Sequence, residues 1–360
     1  MHFHIDRDIG HTISGWMILD NPAEVPEFSV VVPGHGGTTL KANVLRTDLR
    51  DLGLHVSGLV GFEIDEYMMP GLGGFERLVI QETSSGLIIY RRETEISLLE
   101  QKVLVCEVSA IPQIRYRASA RAFLLPYLMI DRYSLDTITS ILGNNYSNSI
   151  FLAGQLNWLR HGELAKEKKF LCIAVLRDPF TELAERLIFV KYVLEKRDMQ
   201  GREFLMEHFA KIIPMVAETN LDDDRSLLKA FRELKPEHKS AIRSPMTALF
   251  GATPDEILQR RNVSFALDNL AQFDVVGLRE DYERVRWMAN SLAGVDVISD
   301  QQQDFFPDVP RLATRLKRIG LVADLLDEDI ALHSFAVEAL RAVPHAFSTP
   351  TQPQKPDQVA

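Results

Sequence analysis

The chain has 360 residues, 46% hydrophobic and 25% charged, a globular composition long enough for two or three ordinary domains. Its formal net charge of -10 argues against broad nucleic-acid binding, which needs clustered positive charge. No apolar stretch is long enough to span a bilayer and the start shows no signal-peptide pattern, so a cytoplasmic location is expected.

In chain order, His2-x-His4 gathers no further ligands nearby, so a frayed end or an ordinary strand is expected and no metal site. From Phe28 to Arg92 the signals are those of strands. Phe28 to Val32 is a β-branched run closed by the turn cluster Pro33 to Gly37. Leu40 to Leu45, Gly58 to Ile64, Arg77 to Glu82 and Leu87 to Arg91 add short strands, with Gly71, Gly73, Gly74 and Gly86 in turns. This spacing predicts a small β sandwich over residues 1–92.

After Glu93 strands and helices alternate, which predicts a mainly parallel sheet flanked by helices over residues 93–345. Val103 to Cys106, Ile150 to Ala153 and Phe170 to Leu176 are the buried strands expected. Cys106 and Cys172, the chain's two cysteines, lie in these apolar runs and should be buried free thiols. Between the first two strands, Ser109 to Ser119 reads as a polar, basic turn before a helical stretch. His161, followed by Gly162, reads as part of a loop. Beyond Pro179 the chain should be mainly helical. Phe180, Leu183, Leu187, Val190 and Leu194 form one apolar stripe, and Glu182 and Arg186 can pair on the surface. Residues 346–360 are rich in Pro and Gln and should be a disordered tail. The two parts are expected to pack separately, with the stretch 92–100 between them open to proteolysis.

The sharpest local signal is Arg177-Asp178-Pro179, directly after an apolar strand. Ligands commonly bind where strands of an open α/β sheet feed helices, and Arg177 supplies a fork suited to phosphate. The bland alternative pairs Arg177 with a carboxylate such as Glu280 or Asp281 and makes Asp178 a helix cap.

Two resemblances add to this reading. Gly15-Trp16, Arg46-x-Asp48-Leu49 with Gly53, and Gly58-x-x-Gly61-Phe62 resemble an accessory β domain fused to bacterial glycan enzymes. Trp16 suggests stacking on a sugar, although a lone Trp in a small sandwich is more often core. The strand with Arg177-Asp178-Pro179, the segment Phe273 to Tyr282 with Gly277-Leu278-x-Glu280, and Leu326 to Ala336 resemble, in that order, elements of carbohydrate sulfotransferases. That likeness covers about residues 98–340. It implies a P-loop-type fold, phosphoadenosine phosphosulfate as donor, and Arg177 on its 3′-phosphate. It further implies a glycan or glycan precursor as partner, and protein partners in a polysaccharide assembly system.

The departures are specific. The loop from Ser109 to Ser119 has no glycine and Pro112 removes a donor, so no P-loop is recognisable; Arg115, Arg117 and Ser119 are the replacement anion site, or else a solvated basic turn. Glu185 stands where the family has a Ser on the 3′-phosphate, and a carboxylate there repels phosphate unless it is neutralised or faces water. Gln155 stands where Gly-His is common and cannot act as a base, so no catalytic base is named. Two readings follow. One is sulfate transfer to a glycan hydroxyl in surface-polysaccharide synthesis or modification. The other is a non-catalytic sulfotransferase-fold protein that binds a glycan, nucleotide or partner protein.

Overall fold

The computed structural model describes residues 1–94, 97–199, 203–300 and 305–342, so the expected tail 346–360 lies outside the described residues. Eight strands come first: β1 (His2–Asp8), β2 (Thr12–Ile18), β3 (Glu27–Val32), β4 (Gly36–Lys41), β5 (Val44–Leu45), β6 (Leu59–Asp65), β7 (Arg77–Glu82) and β8 (Ile88–Glu93). They form two antiparallel four-stranded sheets, ordered β1-β2-β6-β5 and β4-β3-β7-β8. Strands β3 and β7 alternate between half-buried and buried residues, the period-two pattern of a sheet with one face inward. Phe28 and Phe62 meet across the two sheets with ring centroids 4.8 Å apart.

The Arg46 to Phe62 motif is tied together locally. The Arg46 N–H donates to the Gly58 carbonyl at 2.7 Å, and Gly58, at φ +78°, has no room for a side chain because a Cβ would lie 2.8 Å from the Arg46 carbonyl oxygen. The Arg46 guanidinium grips Asp48 through two hydrogen bonds of 2.7 and 3.0 Å, reaches Asp6 at 3.2 Å, and lies over the Trp16 ring. Trp16 is therefore half-buried beneath a cation, not a full core residue.

The second part holds five parallel strands: β9 (Lys102–Glu107), β10 (Leu125–Leu128), β11 (Ile150–Gly154), β12 (Leu171–Leu176) and β13 (Val275–Leu278). Their spatial order is β10-β11-β9-β12-β13. The chain leaves β9 toward one edge and returns past it toward the other, so a crevice is expected above the carboxyl end of β9. Both faces are covered. Leu104, Cys106, Cys172 and Ala174 point into one apolar cluster, and Val103, Val105, Ile173 and Val175 into another. Cys106 and Cys172 are both free and buried.

The first of these clusters continues into the inner residues of the N-terminal sheets, so the apolar packing runs through the boundary at Glu93. The expectation of separate packing did not include this. The Tyr127 hydroxyl donates to the Ile88 carbonyl at 2.7 Å and that of Tyr146 to Arg91 at 2.9 Å, fastening the two parts further. Beside this seam Arg92 grips Asp8 at 2.6 and 2.9 Å and donates to the carbonyls of Leu72 and Gly10, both at 2.8 Å.

Three local expectations need correction. Residues 109–119 are not a solvated turn: they hold the helix Pro112–Arg115 and the start of Arg117–Ala120, with Ser109, Ile111, Arg115 and Tyr116 buried. The helical stretch expected directly after them lies beyond strand β10, as the helix Leu135–Leu142. His161 lies in the helix Trp158–Glu167, where Gly162 leaves room for the Trp158 indole and the His161 Nε2 meets the Leu135 carbonyl at 3.2 Å. Among the described residues no helix is long and apolar enough to cross a membrane.

Candidate functional site

The crevice above β9 is filled by charged side chains. The apolar stripe of the helix Pro179–Glu195 packs as expected, with Leu183, Leu187 and Val190 buried. Its other side is equally covered: Glu182, Glu185 and Arg186 are 2%, 1% and 7% exposed. The surface pair expected of Glu182 and Arg186 does form, at 3.3 Å, but inside the protein. Glu185 does not face water. This helix is enclosed because it lies between the strand ends and a further helical layer that includes Ile213–Glu218 and Val309–Leu316.

Arg177 follows β12, as the sequence indicates, and turns inward to Glu185 at 2.6 Å, with Glu182 at 3.6 Å. Arg115, at the end of its short helix, contacts the other oxygen of the same carboxylate. Arg279, directly after β13, approaches Glu185 at 3.5 Å and Glu107, the last residue of β9, at 3.8 Å. Tyr116 completes the floor, donating its hydroxyl to Glu107 at 2.7 Å; burial raises this phenol well above its usual range and keeps the proton in place. Three arginines, two directly after strands and one from a short helix, thus converge on one internal carboxylate. Like charges tolerate that approach only when an anion joins them, and here Glu185 is the anion.

Burial also pushes Glu182 up to about 8; Arg186 and Arg177 oppose the rise, and Glu185 and Glu107 add to it. Burial therefore favours the protonated form of Glu182, which eases the crowding of carboxylates around Glu185.

Of the residues expected to hold an anion, the structure joins Arg177 and Arg115. It does not join the others. Arg117 is exposed. Ser119 is buried, its hydroxyl accepting the Ser299 N–H at 2.9 Å and so anchoring another segment. Glu280, suggested as a partner of Arg177, instead accepts the Asp178 N–H at 3.1 Å, and Asp178 caps its helix as expected, accepting the Thr181 N–H at 2.9 Å. Sequence reasoning did not single out Arg279 or Glu107. Their signal was positional, since each sits at or directly after the end of a buried strand.

The residues present do not fit a free 3′-phosphate. Glu185 occupies hydrogen-bonding positions that phosphate oxygens would need on Arg177 and Arg115. The arrangement defines an open parallel α/β sheet whose crevice is closed by internal ion pairs. Comparison with protein-family models, curated proteins and solved structures gives no match to the chain.

Proposed function

We propose that the chain is a non-catalytic sulfotransferase-fold protein that binds a glycan within a polysaccharide assembly system, with its N-terminal β region as an accessory unit. The supporting observation is the Glu185 carboxylate, which takes Arg177 and Arg115 out of use for a phosphosulfate donor. A fold retained with its anion site neutralised from within suits binding better than transfer.

The test is calorimetry with adenosine 3′,5′-bisphosphate on the wild type and on Arg177→Ala. No binding by either is expected. Binding by the wild type that weakens by about 1.5–3 kcal/mol in Arg177→Ala, the loss of a charge-assisted contact, would restore the donor site and sulfate transfer with it.

A further inference from the structure

We propose that the hollow between the helix Pro179–Glu195 and the last helix, Asp327–Ala342, is a binding site for a neutral sugar unit, an inference that rests on the glycan-binding reading. The cavity measures about 520 Å³, within the usual range for small-molecule sites. It lies beyond the carboxyl ends of the parallel strands, beside the closed crevice: the turn after β12 sends Arg177 inward and places Asp178 on the cavity wall.

One stripe of the last helix faces the hollow. Ile330, His333, Ser334, Val337 and Arg341 fall on one face of the helix, which sets apolar and hydrogen-bonding groups side by side along it. Phe180 stands on the wall opposite, with the Lys317 ammonium 5.6 Å from its ring centroid. A sugar ring presents the same mixture, a face of C–H groups rimmed by hydroxyls that donate and accept.

The Nε2 of His333 is buried and finds no hydrogen-bond partner among the described residues. Burial lowers the pKa of this imidazole, with Lys317 acting the same way and Glu280 and Asp178 opposing; a neutral ring offers one donor and one acceptor. Asp178 and Glu338 line the hollow against a single arginine, Arg341, while Lys317 is engaged by Asp178 at 3.2 Å. That balance disfavours phosphate or sulfate and leaves a neutral polyhydroxyl ligand as the best fit.

Saturation-transfer NMR with methyl glycosides of common hexoses and their disaccharides tests this on the full chain. Ser334→Trp fills the hollow from an exposed position and keeps the fold, as circular dichroism should show. The wild type should bind, Ser334→Trp should lose the signal, and His333→Ala should weaken binding roughly tenfold, the loss of one or two hydrogen bonds. Trp16→Ala should bind as the wild type does. Binding that survives Ser334→Trp, or is lost only in Trp16→Ala, overturns this site and leaves glycan binding standing. Preference for a sulfated or phosphorylated sugar at the hollow overturns the ligand class. No saccharide binding by the wild type removes both the site and the glycan-binding reading.

Discussion

Glu185 is the shared partner of three buried arginines, Arg115, Arg177 and Arg279. Removing one partner from a buried ion network leaves the others uncompensated, which typically costs about 3–5 kcal/mol. Glu185→Gln, which keeps the shape and loses the charge, should lower the unfolding free energy measured by denaturant titration by an amount in that range; a change below about 1 kcal/mol would mean that water relieves the arginines. Glu182 makes a second prediction. Burial raises the pKa of its carboxyl from the ordinary 4.5 to about 8 in the folded protein. Between those values the native state holds a proton that the unfolded state has released, so this group's contribution to stability falls as pH rises from about 4.5 to 8. Glu182→Gln abolishes that slope, and its stability relative to wild type should improve from pH 5 to pH 8 in urea titrations. A difference that stays constant would show Glu182 ionised in the native state. Arg177 was legible from its strand and the following Asp-Pro. The role of Glu185 was not, because a charged residue opposite an apolar stripe reads as solvated until a further helical layer is known to cover it.

At the scale of elements, the motifs toward the end of the chain have packing reasons. Gly277, in β13, lets Val285 of the helix Tyr282–Ala293 sit against the strand, since a Cβ at Gly277 would lie 2.3 Å from Val285 Cγ2. Gly277→Ala should cost about 1–3 kcal/mol by overpacking, and adding Val285→Ala should cost less than the sum of the two single changes. Additive losses in chemical denaturation would mean that the helix shifts away instead. Glu328 and Asp329 likewise serve the helix Pro245–Gly251. Asp329 accepts the N–H groups of Met246 and Thr247 at 3.0 and 2.7 Å, and Glu328 accepts the Ser244 hydroxyl at 2.9 Å. Three of the five parallel strands, β9, β11 and β12, were readable as apolar runs, and β13 entered only within the segment Phe273 to Tyr282. Strand β10 was not: it is four residues long and contains Pro126, which a sheet tolerates at an edge, where β11 is its neighbour.

For the whole molecule, the change from short alternating strands to strand–helix units was legible as a boundary near Glu93. The packing across that boundary was not, because periodicity marks which residues are buried without saying against what. With one apolar cluster spanning both parts, the chain should unfold in a single transition. Trp158→Phe with Trp287→Phe leaves Trp16 as the chain's one tryptophan, a fluorescent probe of the N-terminal sheets. Circular dichroism at 222 nm follows the helices, nearly all of which lie beyond residue 110. Coincident midpoints are expected; a Trp16 transition at lower denaturant would show that the β region melts alone.

The two thiols give that unfolding a clock. Cys106 and Cys172 sit on adjacent central strands at 0% and 1% exposure. Burial raises both pKa values, Cys172 to about 12, with lesser contributions from Cys172 on Cys106 and from Asp274 on Cys172. An alkylating reagent reacts with thiolate, so neither site is labelled while the sheet is intact. Labelling must wait for the central strands to part, and the two cysteines should then be modified in step, each event recording one opening of the α/β core.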